Sequence, residues 1–153
     1  MFKMMGVALL AGAMLFTACK KDKEDTTPAA TTYAVTVNYG GQTWHNNDNM
    51  TYSIAGNLMT IQAEEGDVTF QVVSGKEKKT YSFGENPHYG VVLVNGEDQI
   101  NGNVNGVMVI SDINLNATPA TISATVSCEM GEVGSGDMMT ATFDNAKMDL
   151  GEK

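Results

Sequence analysis

The chain has 153 residues, and its nine basic residues, all of them lysine, stand against eighteen acidic residues for a formal net charge of −9 at pH 7. Duplex nucleic acid is bound through a basic footprint, and phosphate recognition favours the arginine guanidinium. The acidic balance and the lack of arginine therefore exclude nucleic acid as a partner.

The first segment of the chain, residues 1–18, is predicted to be a signal peptide. Lys3 gives it a positive start, and Val7–Phe16 is almost wholly apolar or small, which is the layout of a secretory signal. The apolar run is too short to span a bilayer, because a spanning helix needs about 20 such residues.

The motif Phe16-Thr17-Ala18-Cys19 resembles the lipobox of bacterial lipoproteins, in which small residues precede a cysteine. The resemblance implies cleavage before Cys19, a diacylglycerol on its sulfur and an acyl chain such as palmitate on the new amino group. Several acyl chains together make anchoring to a membrane stable. The alternative is an ordinary secretory signal followed by an incidental cysteine.

The residues after Cys19 are charged: Lys20, Lys21, Asp22, Lys23, Glu24 and Asp25. This run resembles the export signal of Bacteroidetes surface lipoproteins, which implies an outer-membrane protein exposed at the cell surface. The alternative is a solvated linker. Residues 19–32 as a whole cannot bury a core and are predicted to be a flexible tether. Within them, Asp25-Thr26-Thr27 resembles the O-glycosylation sequon of the same bacteria, which implies a glycan on Thr26.

Residues 33–153 are predicted to form a single all-β domain, because apolar side chains alternate with polar ones at period two along most of the segment. The predicted strands are Val35–Val37, Met50–Ile54, Met59–Ala63, Val68–Val72, Thr80–Phe83, Val91–Val94, Val107–Ile110, Thr121–Cys128 and Met138–Phe143. Turn signals such as Gly40-Gly41 and Gly56-Asn57 separate them. Short strands with regular turns predict an antiparallel meander of about 8–10 strands, closed into a small β-barrel or β-sandwich.

Two predicted strands, Val91–Val94 and Val107–Ile110, are apolar on both faces. We expect another segment of the chain to cover their outer faces, and the alternative is an exposed patch for a partner. Cys128 falls on the apolar side of its predicted strand, so we expect it to be a small buried side chain.

The domain as a whole resembles small Bacteroidetes surface lipoproteins of unknown function. The resemblance rests on a first strand with a glycine turn and Gly41-Gln42-Thr43-Trp44, and on a closing segment from Thr140 to Met148. The lipocalin Gly-x-Trp element is one residue shorter, so a lipocalin-like ligand barrel is an analogy only.

The most polar stretch of the domain starts at its only tryptophan and comprises Trp44, His45, Asn46, Asn47, Asp48 and Asn49. Aromatic faces stack on sugar rings, and Asn and Asp side chains bond to hydroxyls, so this stretch is a candidate site for a glycan or small ligand. In the alternative, Trp44 closes one end of the core and the Asn residues occupy left-handed turn positions. We therefore expect a non-enzymatic binding module, or else a structural or protein-interaction lipoprotein with a filled core.

The sequence contains no Gly-x-Ser-x-Gly, His-Glu-x-x-His, phosphate-loop or dinucleotide motif. Asp48 and its Asn neighbours lack the spacing of a calcium loop. Acidic pairs such as Glu64-Glu65 leave no dyad for glycoside hydrolysis. We expect no catalytic residues, no metal site and no cofactor, and we expect contact with a membrane through the lipid anchor.

Overall fold

The part of the chain that this computed structural model describes, residues 34–47, 50–102, 105–131 and 134–151, consists of strands and the turns between them. The strands are β1 Val35–Tyr39, β2 Gln42–Asn46, β3 Met50–Ala55, β4 Leu58–Glu65, β5 Val68–Gly75, β6 Thr80–Phe83, β7 Gly90–Asn95, β8 Asp98–Gly102, β9 Gly106–Asn114, β10 Ala120–Glu129 and β11 Met138–Leu150. No helix occurs in these residues, so the predicted all-β class is confirmed.

The strands join into one 11-stranded sheet, whose main path runs β6-β9-β10-β11-β3-β4-β5-β7-β8. Neighbours in sequence pair as antiparallel hairpins in most places, as a meander requires. The long strand β11 branches the sheet: its first half pairs with β1, which pairs with β2, and its last residues pair in parallel with β3. The short strand β6 departs from the sequential order because it pairs with β9.

The sheet curls into a half-barrel around one core. Phe70 on β5 and Phe143 on β11 show the curl, since their ring centroids lie 6.0 Å apart although two strands separate β5 from β11 along the sheet. The alternation in the sequence places the apolar side chains of the strands inside. Burial of each large apolar side chain contributes about 1.5–3 kcal/mol to the stability of the fold. The largest fully buried side chains include Met59, Ile61, Leu93, Met108, Ile122 and Met139.

At one end of the half-barrel the tip of β8 meets the end of β10. The amide of Gly131 donates to the carbonyl of Asn101 at 2.8 Å, and the Cys128 thiol lies 3.5 Å from the Met130 sulfur. Cys128 is fully buried, as predicted, and burial raises the pKa of its thiol to about 12.

Two strands, β2 and β8, were not predicted from the sequence. Each of them pairs with one neighbour only, β2 with β1 and β8 with β7. Edge strands carry polar and charged side chains that discourage further pairing, and most residues of both strands are exposed or half-buried. Their sequences therefore lack the alternation that marks a half-buried strand.

The two strands that are apolar on both sides, β7 and β9, differ in how far their outer faces are exposed. On β7, Val92 and Val94 are half-buried. On β9, Val107 and Val109 are 39% and 37% exposed. The expectation that another segment covers these faces is therefore wrong for β9, where the strand's outer face lies open between β6 and β10.

Candidate functional site

An open cleft lies between the β1–β2 hairpin and the β7–β8 hairpin, with a volume of about 190 Å³. Its lining combines aromatic, apolar and polar side chains: Tyr39, Gln42 and Trp44 from the first hairpin, and Leu93, Asn95, Asp98 and Ile100 from the second. Because β2 and β8 are edge strands, the cleft opens where the ladder of the sheet ends.

The first hairpin owes its shape to the turn at Gly40 and Gly41. Their φ angles are 58° and 76°, and two successive positive φ values define the tight hairpin turn that favours glycine. The predicted turn is therefore present. In the resulting register Tyr39 pairs with Gln42. Side chains of paired residues lie on the same face, so the turn brings Tyr39 and Gln42 together on the face that also carries Trp44.

Trp44 is half-buried and divides two spaces. On one side Trp44 packs against the core, where it lines a small space together with Val35 and Phe70. The other side is the open cleft. The small space measures about 20 Å³, which is enough for a single water molecule. Trp44 thus closes the end of the core and also presents a surface to the cleft.

The second hairpin supplies an apolar floor and a polar rim. Leu93 pairs with Ile100 across β7 and β8, and Asn95 pairs with Asp98 next to the turn. Leu93 is buried, whereas Asn95 and Asp98 are exposed. The turn is held by a hydrogen bond from the Gly96 amide to the Asp67 carbonyl, at 3.1 Å. The position of the rim is therefore tied to the neighbouring β4–β5 turn.

The described residues of the polar stretch, Trp44 to Asn47, do not converge on the open cleft: Trp44, His45 and Asn46 all line the small space beside the core, but of these residues only Trp44 lines the cleft. Successive side chains of a strand point to opposite faces, and His45 lies on the outer face of β2, where its Nδ1 is 3.1 Å from the Thr36 hydroxyl. The amide of His45 donates to the Glu65 carboxylate at 2.6 Å. His45 therefore fixes β2 in place and does not line the open cleft.

Asn46 and Asn47 also hold the backbone of the domain. Asn46 Nδ2 donates to the Glu64 carbonyl at 2.5 Å, and Asn47 Oδ1 accepts from the Ala34 amide at 3.0 Å. Among the described residues, the one residue other than glycine with positive φ is Asn145. The alternative in which the Asn residues occupy left-handed positions is thus wrong for Asn46 and Asn47, since neither has a positive φ and strand β2 continues through Asn46.

The carboxamide of Asn46 also carries an oxygen atom, Oδ1, beside the Nδ2 atom that bonds to Glu64. Its Oδ1 atom is buried and has no hydrogen-bond partner in the described part of the chain. Asn46 also lines the small space beside Trp44. A buried carbonyl oxygen is costly to leave unpaired, and the space beside it, of about 20 Å³, has no room for a group larger than one water molecule.

Several predicted site residues lie outside the described residues. These are the lipidation site Cys19, the export residues Lys20, Lys21, Asp22, Lys23, Glu24 and Asp25, the sequon residue Thr26, and the last two residues of the polar stretch, Asp48 and Asn49. Conversely, the cleft contains residues that the sequence did not single out, namely Tyr39, Asn95 and Asp98. Each of these three residues lies within two positions of a turn glycine, Gly40 or Gly96. These glycines are the sequence signal that marks the two hairpins.

No group of three or more His, Cys, Asp and Glu side chains within the described ranges is placed to hold a metal ion. A helix long and apolar enough to cross a bilayer is likewise missing from those ranges.

Comparison with known proteins adds no family to this description. The chain matches no protein-family model, and neither curated proteins nor solved structures give a match. The functional assignment therefore rests on the chemistry of the cleft.

Proposed function

We propose that the protein is a lipid-anchored outer-membrane module that binds an uncharged glycan in the cleft between the β1–β2 and β7–β8 hairpins. The observation that carries the proposal is the placement of Tyr39 and Trp44 in one open cleft with the polar side chains of Gln42, Asn95 and Asp98.

The side chains of the cleft match the two surfaces of a sugar ring. The aromatic rings of Tyr39 and Trp44 are rigid and apolar, and each has a polar tip, so they suit the C–H face of a pyranose. The amides of Gln42 and Asn95 both donate and accept hydrogen bonds, whereas the Asp98 carboxylate only accepts. This mixture suits hydroxyl groups, which also donate and accept. The negative charge of Asp98 favours an uncharged sugar.

The volume of the cleft sets the size of the ligand. Sites for drug-sized molecules occupy about 300–1,000 Å³ and enclose most of the ligand. The cleft measures about 190 Å³, and it is open to solvent. It therefore suits one ring of a longer chain, with the neighbouring rings in solvent. The space behind Trp44 measures only about 20 Å³, so the glycan binds at the surface of the half-barrel and not inside it.

The lipobox motif that ends at Cys19 supports the anchored location. The charged run Lys20–Asp25 supports exposure at the cell surface, where polysaccharides are accessible.

A glycan array tests the proposal directly. The purified protein should bind neutral oligosaccharides, and Trp44→Ala and Tyr39→Ala should each lower the signal by about ten-fold or more, a loss of about 1.4 kcal/mol. Tyr52→Ala is the matched control, because Tyr52 is also half-buried but lies on β3, outside the cleft. The proposal fails if the protein binds no neutral glycan, or if Tyr52→Ala lowers binding equally.

A second candidate function, interaction with another protein, is favoured by the open outer face of β9. Val107 and Val109 are exposed there, between Ser and Thr side chains of β6 and β10. A photo-crosslinking residue at position 109 in cells should give a discrete adduct that is lost with Val107→Ser. A smear or no adduct would exclude this candidate.

A further inference from the structure

A second pocket, of about 210 Å³, lies at the other end of strand β4 from the glycan cleft. It is formed by Asn57 in the turn before β4, by the segment that follows β5, and by Tyr89 just before β7. The opposite end of β4, at Glu65, is the end that contacts β2. The two sites are therefore spatially separate.

The pocket is lined by lysine in a chain that is otherwise strongly acidic. The described residues include only one lysine outside the segment Lys76–Lys79, namely Lys147. Both Lys76 and Lys79 line the pocket. Glu77 is the acidic residue in its lining, so the two lysines leave a local excess of positive charge. On a molecule with a formal charge of −9, this excess concentrates the attraction for an anion at one place.

The lysine side chains are held by contacts that leave donors free. The Lys76 ammonium donates to the Gly56 carbonyl at 3.2 Å. The Lys79 ammonium lies 3.7 Å from the Glu77 carboxylate and 5.1 Å from the centre of the Tyr81 ring. An ammonium group carries three donors, so each lysine retains donors for a ligand after these contacts.

The floor of the pocket is rigid because Tyr81 locks the segment that precedes it. Tyr81 is buried, and its hydroxyl accepts from the Glu77 amide at 2.8 Å and donates to the Glu77 carbonyl at 2.9 Å. Gly75 makes this packing possible, since a Cβ there would lie 2.4 Å from the Tyr81 ring. A rigid floor lowers the ordering cost of binding.

Tyr89 adds an aromatic wall. It is half-buried, it lines the pocket, and its ring meets that of Tyr81 edge to face with centroids 5.4 Å apart. Asn57 on the opposite turn offers an exposed amide. The pocket therefore combines ammonium groups with an aromatic ring and an amide.

We propose that this pocket binds the carboxylate-bearing ring of an acidic sugar, with Lys76 and Lys79 on the carboxylate and Tyr89 beside the ring. This site goes beyond the proposed function, since it takes a charged ligand at a place separate from the cleft. A lysine ammonium is a point charge that suits a single carboxylate, whereas phosphate recognition favours the arginine fork. An inorganic anion would in addition leave Tyr89 and Asn57 unused.

Titration of the full-length protein with glucuronate, followed by NMR or calorimetry, tests the proposal. Glucuronate should bind, and glucose at the same concentration should produce no shift of the pocket resonances. Raising the salt from about 50 to about 500 mM should weaken the binding several-fold, because the lysines are partly solvated. Inorganic sulfate and phosphate form a separate arm, and binding as tight as that of glucuronate would contradict an acidic sugar as the ligand.

Matched lysine variants locate the site. Lys79→Gln and Lys76→Gln should each weaken glucuronate binding by about ten-fold, and Lys79→Gln carries the test if Lys76→Gln does not fold. Lys147→Gln removes the same charge from the exposed part of β11 and should change binding less than about two-fold. Trp44→Ala should leave it unchanged even if it abolishes neutral glycan binding. An absence of glucuronate binding, or an equal loss in Lys147→Gln, would overturn the proposal.

Discussion

Gly106 on β9 is paired with Cys128 on β10, and the two backbones approach so closely that a Cβ on Gly106 would lie 2.3 Å from the Cβ of Cys128. The same atom would come within 2.7 Å of the Phe83 ring. Gly106 is therefore required by space, at the point where β6, β9 and β10 meet around the buried thiol.

Replacement of Gly106 by alanine should destabilise the domain. The added methyl has no room, and overpacking of this kind costs about 1–3 kcal/mol. Gly151→Ala is the control, because its nearest contact would be an ordinary 3.5 Å; its effect should stay within about 0.5 kcal/mol. Urea denaturation measures both values. Equal stabilities of the two variants would contradict the close approach of β9 and β10.

Cys128 should be unreactive in the folded protein. Its thiol is buried, and a pKa of about 12 leaves roughly one thiolate in 10,000 at pH 8, while the thiolate is the reactive form. A maleimide or disulfide reagent should label it only after denaturant is added. Fast labelling of the native protein would place the thiol at the surface and shift the register of β10, since a slip of one residue exchanges the faces of a strand.

Glu129 should make the connection between β10 and β11 more stable at neutral than at acidic pH. Its carboxylate accepts from Asn105 Nδ2 at 2.8 Å and from the Gly136 amide at 2.9 Å, and these hydrogen bonds lower its pKa below the ordinary value of 4.5. A carboxyl group whose pKa is lower in the folded state than in the unfolded state stabilises the fold at pH values above its unfolded pKa. This stabilisation is lost as the pH falls through the folded pKa.

Amide exchange at Gly136 reads out this effect. Protection of the Gly136 amide should be higher in the wild type than in Glu129→Gln at pH 6, and the difference should narrow below about pH 4. A difference that is independent of pH would mean that the charge of Glu129 plays no part.

Membrane attachment should depend on one cysteine and not on the other. Cys19→Ser should move the protein out of the membrane fraction or leave it as an uncleaved precursor, and it should abolish labelling with palmitate. Cys128→Ser is the matched control and should keep both properties. Palmitate labelling of Cys19→Ser would contradict the lipoprotein proposal.

Exposure at the cell surface should depend on the charged run Lys20–Asp25. Neutral residues in its place should retain the anchor but reduce proteolytic shaving of intact cells. Unchanged shaving would contradict surface export.

The strands that cover the core could be predicted from the sequence because they are buried on one face. Val68, Phe70 and Val72 alternate with polar residues, and all three are buried in β5. The edge strand β2 could not be predicted in this way. Its first two residues, Gln42 and Thr43, point to opposite faces of the strand, and both are exposed. The burial signal exists only where one face of a strand meets the core.

The candidate site was less accessible to sequence reasoning than the fold. The sequence predicts Trp44 as a site residue, and Trp44 lies in the cleft, but Asn95 and Asp98 come from a hairpin that is distant in sequence. They reach Trp44 only because the sheet curls, and no local pattern encodes that. The sequence also predicts His45 as a site residue beside Trp44, but neighbouring residues of a strand face opposite ways, and His45 does not line the cleft.

The fluorescence of Trp44 is the most direct test of glycan binding in the cleft, because Trp44 is the only tryptophan of the chain. Since the side chain is half-buried, we expect emission between that of a core and that of a solvated tryptophan, with partial quenching by iodide. A neutral oligosaccharide that binds should shift the emission to the blue and protect it from iodide, and Tyr39→Ala should abolish both changes. Glycan binding that leaves the emission and quenching of Trp44 unaltered would contradict the cleft as the site.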